Sequence, residues 1–442
     1  MNQTKQTLTL QVDHDRQGTY FTLPFEMPPG TESMTLTYRY DRHIFSSGQQ
    51  DGGTFRSRQE ANIIDLGLIA PDGSQVGASG SDKTTFTISE TAATPGYRPR
   101  PLIPGAWQIL VGAYKVAPGG VTVVYDLTFT SKATRLLKGD LHTHTIASDG
   151  VLTADELAAR ALRHGLDFLA ITDHNQPVST DSLPRIPGLT LIPGLEWTHY
   201  QGHANFLGVD QPYDAPFAAN SFEEARELFL LARDRGALIT INHPFDEGSG
   251  FKFPMDALPF DCLEIWNGPM RESNLRAVGY WQSLLASGKK VPVCGGSDYH
   301  RDTPFLFLGG PTTCVYSESA GKSDILNALR RGRAFITFAP NGPTLEMTCG
   351  DAIMGDSVSW QGQSTLEISA QRLLAGDVLR VVTAQTSDTI LQAPAGGEFT
   401  AEYAVKQPGF ARIEIMRSFL PGIPMLPALI SNPIYFDDPK TE

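Results

Sequence analysis

Thiols are scarce in this sequence: four cysteines, Cys262, Cys294, Cys314 and Cys349, stand in 442 residues and no two form a C-x-x-C pair. A zinc ribbon, redox dithiol or disulfide framework therefore finds little support, and buried reduced thiols are expected. Long apolar runs are missing too. No stretch of 18 apolar residues occurs, and the opening MNQTKQTLTLQVDHD alternates polar and apolar residues where a signal peptide would be continuously apolar. The expectation is a soluble cytoplasmic protein with no membrane partner. Low-complexity tracts are absent, and 41% hydrophobic against 19% charged residues is a composition that folds throughout. Positive charge is in deficit, 35 Lys and Arg against 48 Asp and Glu, a net −13 that opposes a phosphate backbone at long range. Nucleic acid is thereby an unlikely partner, although a small anion can still enter a locally positive pocket. Histidine is rare as well, with 10 in the chain, yet GDLHTHTIASDG spends two of them two residues apart.

Length alone points to about three domains. Up to about Thr130 the pattern has period two, in SMTLTYRY, WQILVGAY and VTVVYDLTFT, with Gly, Pro, Asp and Ser clusters between. Such alternation predicts an antiparallel β-sandwich over 1–133. From Leu136 short apolar strands alternate with helical segments, the mark of an α/β unit with parallel strands, over 134–340. Thr153 with Glu156, and Ser221 with Glu224, read as capping boxes of helices closed by Gly165 and Gly236, and SDILNALRRG reads as a third helix. Period-two segments return after APNGP, so 341–442 is expected to be a small C-terminal β-domain.

The α/β strands share a feature at their ends. They stop on HTH, TDH, GLE, NHP and SDYH, while HANFLGV starts with its histidine. Each piece alone has a plain explanation: an isolated H-x-H is more often a pair of surface or core histidines, SDG is usually a turn, and a strand-end acid is usually an ordinary salt bridge. Together they place a metal-ligand residue type at successive element ends of one region. In a barrel of parallel strands the carboxyl ends open on one face, where groups from different strands converge. Alternate residues share a face, so His142 with His144, and Asp298 with His300, can each chelate, while Asp149 sits on a turn that Gly150 lets bend back. HANFLGV must then be antiparallel or irregular. Imidazole and carboxylate donors suit Zn, Mn or Fe.

In order, DLHTHTIASDG, ITDHN, PGLEW with GHANFLG, INHP and GGSDYH resemble the motifs of the polymerase and histidinol phosphatase (PHP) superfamily. The match runs from about Leu136 to Phe338, and the flanking β-regions, LRRGRAFIT and SNPIYF look like its CehA/McbA branch of metallohydrolases. The resemblance implies an α/β fold with a distorted seven-stranded β/α barrel and two to three divalent metal ions, in full a trinuclear site. It assigns His142, His144, Glu196 and Asp298 to a first ion, and Asp149, His174 and His300 to a second. Glu196 would bridge to a third held with His203 and His243. Many relatives have histidine where Asp149 stands.

Two or three divalent ions outweigh the three carboxylates, so the site attracts anions. Paired ions activate water and clamp attacking and leaving oxygens, which favours a phosphoesterase, either phosphatase or phosphodiesterase, acting on a small organic phosphate through a metal-activated hydroxide. Hydrolysis of a carboxylic ester or carbamate is the enzymatic alternative, and a non-catalytic binding or scaffold protein the alternative of another class. Arg271 and Arg301 lie beside strand ends and are candidates to fork onto phosphate oxygens, and Asp140 and Asp173 are candidates to orient imidazoles. Trp197, Tyr200, Trp266 and Tyr299 flank the motifs, as core or as an apolar wall; His199 is expected to face solvent.

Overall fold

The computed structural model describes residues 2–50 and 53–438, and the chain divides into two compact units, Met1–Ala133 and Thr134–Glu442. In the first, strands Gln3–Val12, Val121–Ser131, Thr31–Arg39 and Thr85–Ser89 form one antiparallel sheet; Thr19–Met27, Gly105–Lys115, Ile63–Ile69 and Gln75–Ser79 form another. Alternation decides what they bury. Trp107, Ile109 and Val111 of one sheet meet Leu36, Tyr38, Tyr125 and Leu127 of the other in a single core.

The second unit carries the metal motifs. Its elements are β1 (Arg135–Asp140), α1 (Ala154–Arg163), β2 (Phe168–Ile171), β3 (Thr190–His199), β4 (Gly202–Leu207), α2 (Phe222–Asp234), β5 (Leu238–Ile241), β6 (Cys262–Asn267), α3 (Glu272–Ala286), β7 (Val293–Gly296), β8 (Thr312–Ser317), α4 (Lys322–Arg330) and β9 (Ala334–Thr337). Strands β2, β5, β6, β7 and β9 are buried along their whole length, as sheets covered on both faces require.

The strands form a mixed sheet in the order β7-β6-β5-β4-β3-β2-β1-β8-β9, which continues through Leu426–Ser431, Gly409–Arg417, Val378–Val382 and Ser387–Gln392. β1–β2–β3 and β5–β6–β7 are parallel sets, and β4 runs antiparallel to both β3 and β5. That reversal puts the start of β4, and with it His203, at the end where its neighbours finish. Among the described residues no strand pairing joins β7 to β1: β1 pairs with β8, and β9 passes the edge to the C-terminal strands. Residues beyond 341 also build a separate antiparallel sheet from Ala352–Ile353, Thr344–Cys349, Ser364–Leu373 and Gly397–Val405.

Both capping signals sit at helix starts. Thr153 and Glu156 form a reciprocal box on α1, whereas on α2 the Ser221 side chain accepts from the Glu224 N–H while the Glu224 carboxylate turns to the N–H of Asn220. Replacing Thr153 with alanine removes one such acceptor and is expected to cost about 1 kcal/mol, measurable as a small fall in the chemical-denaturation midpoint. Helix α3 starts at Arg271, whose side chain makes no capping bond, so the sequence signals its beginning poorly.

Candidate metal centre

All nine expected donors of the second unit come to one end of the mixed sheet. β1 ends at Asp140, and the chain continues extended through His142 and His144, with Thr143 bridged to Tyr299. His174 follows β2 and is bridged to Glu196 on β3. His243 follows β5, and Asp298 and His300 follow β7. His243 and Asp298 have φ of 25° and 53°, unusual for residues with a side chain. Such backbone costs roughly 1–3 kcal/mol per residue and is concentrated at functional sites.

Glu196 is the hub. Its Oε1 lies 3.2 Å from His142 Nε2, 3.1 Å from His203 Nδ1 and 3.3 Å from His243 Nε2, and it accepts a 2.9 Å hydrogen bond from Asn242 Nδ2. Its Oε2 lies 2.7 Å from His174 Nδ1 and 3.7 Å from His144 Nε2. Asp298 Oδ1 sits 3.4 Å from His142 Nε2 and 3.1 Å from His144 Nε2. Asp149, more exposed, approaches His300 Nε2 at 3.1 Å and His174 Nε2 at 3.5 Å. Three sets are close enough to share an ion: His144, Asp149, His174 and His300; His142, His144 and Asp298; and His142, Glu196 and His243. His203 joins through Glu196 alone, with its ring 5.0 Å from that of His243.

The polar bookkeeping of the buried site is incomplete without a cation. His142 Nε2 and both ring nitrogens of His144 are buried with no hydrogen-bond partner among the described residues, although carboxylate oxygens lie close, because the contacts are not aligned as hydrogen bonds. Unpaired buried nitrogens are costly, and several aimed at shared carboxylates fit a divalent ion. The other ring nitrogens fix the tautomers. His300 Nδ1 is 2.8 Å from the carbonyl of Asp298 and must donate to it, which leaves Nε2 as an acceptor facing Asp149. His142 Nδ1 faces Glu264 Oε1 at 3.1 Å, and a proton there leaves Nε2 free to ligate. The charges are mutually dependent. Burial opposes charge on His142, but Asp298, Glu264 and Glu196 carry its pKa well above the ordinary imidazole value. Burial likewise resists ionisation of Glu196 and Asp298, yet the neighbouring histidines, His142 foremost, hold both below the usual carboxylate range. His144 is lowered, burial outweighing Asp298.

Sequence reasoning missed Glu264. Its Oε2 also accepts from the N–H of His243 at 2.9 Å and from Asn267 Nδ2 at 3.2 Å, so one carboxylate orients two of the histidines. A lone acid inside the apolar strand CLEIWN is the available signal. Replacing Glu264 with glutamine is expected to weaken metal binding roughly 10–100-fold, read by metal titration of the folded variant.

Asp140 and Asp173 are placed differently from the expectation. Asp140 is fully buried and touches no imidazole. It accepts from the N–H groups of His142 (3.2 Å), Ser297 (2.9 Å) and Gly309 (2.8 Å), and from the Ser297 hydroxyl. Burial pushes its pKa up to about 6 against those bonds. Asp173 binds the N–H and hydroxyl of Thr145 and the hydroxyl of Ser148, each at 2.7 Å, and so shapes the turn bearing Asp149 rather than His174. Arg271 donates to Asn267 Oδ1 at 3.0 Å, and Asn267 Nδ2 lies 3.3 Å from Asp298 Oδ2, which puts the guanidinium one side chain from the centre. Arg301 is exposed and makes no hydrogen bond or ion pair among the described residues. His199 is half-buried: it stacks on Trp197, ring centroids 5.0 Å apart, with Nε2 2.8 Å from the Ala219 carbonyl. Trp197 and Tyr299 are core, and Tyr200 is almost wholly exposed.

No family model matches the chain. The 5'-3' exoribonuclease Rnm of Salmonella typhimurium is 39% identical over 107 residues, 22% of this chain and 36% of that enzyme. The Escherichia coli enzyme of the same name is 34% identical over 111 residues, with the same shares. Over part of its length the chain is thus similar to these exoribonucleases. It spans about a third of the curated relatives it matches. Among solved structures it is similar to a two-domain Bacteroides vulgatus protein described as containing a "predicted PHP-like metal-dependent phosphoesterase", at 20% identity and TM-score 0.38 over 64% of this chain and 90% of that one. No described helix is long and apolar enough to cross a membrane.

Proposed function

We propose that the chain is a metal-dependent phosphoesterase acting on a small organic phosphate. The observation that carries this reading is the convergence of six imidazoles and three carboxylates with buried, unpartnered ring nitrogens among them. In this reading His142, His144, Glu196 and Asp298 hold one ion, Asp149, His174 and His300 a second, and His203 and His243 share Glu196 around a third. Divalent ions in such a site polarise a phosphoryl oxygen and activate water near neutral pH, and zinc, manganese or iron would suit these donors. The chain's own groups do the positioning. Glu264 and the Asp298 carbonyl keep His142 and His300 in the tautomers that point Nε2 inward. Arg271, tethered through Asn267 and 3.5 Å from Asp246, would turn its fork onto a phosphate oxygen. Arg301, unengaged and next to His300, is the second candidate for that role.

We read β1–β7 as the distorted barrel of the PHP superfamily. Support comes from Thr313 on β8, whose hydroxyl accepts from the Gly295 N–H at 2.9 Å and donates to the Gly295 carbonyl at 2.7 Å, linking β7 across the gap. Segments 1–133, 134–340 and 341–442 are read as the N-terminal sandwich, catalytic and C-terminal parts. A second reading, favoured by the exoribonuclease relatives against the chain's negative charge, has an oligoribonucleotide as substrate.

The test is a panel offered to metal-loaded protein: an aryl phosphate, a phosphodiester, a 5'-phosphorylated oligoribonucleotide, an aryl ester and an aryl carbamate. Turnover of the small phosphates is expected. Turnover confined to the ester or carbamate overturns the reading, and preference for the oligoribonucleotide replaces it with the second.

A further inference from the structure

Chain neighbours of the metal-centre residues line a cavity of about 270 Å³ with a mainly apolar wall, in which Trp266, Phe305, Phe307, Phe338 and Phe419 are the aromatic side chains. Two strips of chain connect it to the site. Trp266 and Gly268 flank Asn267, whose side chain contacts Asp298 and receives Arg271. Phe305 and Phe307 follow His300 by a few residues on the same loop. Phe305 is 78% exposed, and Phe307 and Phe419 of the same wall are each 38% exposed, a grouping of apolar surface of the kind that marks binding sites.

Several polar groups of the wall are already engaged. Trp266 Nε1 donates to the Gly268 carbonyl at 3.1 Å, Asn274 Nδ2 donates to the Pro269 carbonyl at 3.1 Å, and the Gly310 N–H donates to the Phe307 carbonyl at 3.0 Å. What the side chains offer an occupant is apolar, much of it ring surface. Phe338 and Phe419 meet nearly edge to face, centroids 5.1 Å apart, and aromatic rings prefer offset or edge contacts with another ring. The volume falls near the lower end of small-molecule pockets, roughly 300–1,000 Å³.

We propose that this cavity receives a planar aromatic ring of the substrate while the phosphoester lies at the metal centre. The inference rests on the phosphoesterase reading and adds a substrate class to it: phosphoesters with a ring close to the phosphorus. The wall offers an occupant chiefly apolar and ring surface, so the site selects a ring by its faces.

The decisive measurement is calorimetric binding of phenylphosphonate and methylphosphonate, neither of which is hydrolysed, to the metal-loaded full chain. Phenylphosphonate is expected to bind about tenfold more tightly, the scale of one ring stacked on aromatic side chains. Phe305→Ala, which removes wall, and Met270→Trp, which fills the cavity, should each erase that preference; Phe305→Tyr should keep it. Adenosine 5'-phosphate against ribose 5-phosphate, and phenyl phosphate against propyl phosphate, then separate a nucleobase from a simple aryl group as the natural ring. Equal affinity for the two phosphonates, or a preference that survives both Phe305→Ala and Met270→Trp, overturns the inference and leaves the phosphoesterase reading standing. If neither phosphonate binds and no phosphate ester is turned over, that reading fails and this one with it.

Discussion

Glu196→Gln is expected to cut phosphoester hydrolysis by more than about a hundredfold while leaving the fold intact, since losing even an outer partner of a metal ligand costs 10–100-fold. The glutamine side chain has the same shape, so the packing of β3 is preserved. What disappears is the buried negative charge that His142, His203 and His243 approach through one oxygen and His174 through the other. An amide presents one weak acceptor and two donors, and a donor pointed at an inward imidazole nitrogen competes with a cation for the same lone pair. Activity and bound metal should therefore fall together. Circular dichroism and metal content per chain, measured beside kcat/KM, check this; a variant that keeps its metal and its rate would remove Glu196 from the centre of the site.

Asp140→Ala should fail in another way, through stability. The carboxylate ties the end of β1 to Ser297 beyond β7 and to Gly309, and its loss strands buried N–H groups of His142, Ser297 and Gly309. Each unsatisfied buried donor costs about 1–3 kcal/mol, so a destabilisation of about 3 kcal/mol or more is expected. Thermal unfolding of the purified variant reads it. An unchanged melting temperature with a lost kcat would instead make Asp140 a participant in the chemistry.

These two residues show what could be read in the sequence and what could not. Glu196 was legible because G-x-E recurs with H-x-H, D-H, N-H-P and D-x-H at strand ends, and strand ends gather wherever neighbouring strands share a direction. The histidine of HANFLGV was legible as well, since only a reversed strand brings a leading residue to the end where its neighbours stop, and β4 is reversed. Asp140 misled because sharing a strand face with His142 says nothing about distant partners: Ser297 and Gly309 are more than 150 residues away, and their N–H groups won the carboxylate. Glu264 stayed hidden for the same reason, its partners His142 and His243 lying on other strands. Period two announced the sheets of the first unit. It could not tell that strands after 341 extend the metal-bearing sheet, because alternation fixes which face is buried and not which neighbour is paired.

Crystals soaked with manganese and measured for anomalous scattering test the central claim most directly. At least two peaks are expected, one within ligand distance of His142, His144 and Asp298 and another among Asp149, His174 and His300, the first of them vanishing in His144→Ala. Crystals of active protein with a single peak, or with none between these side chains, would contradict the account.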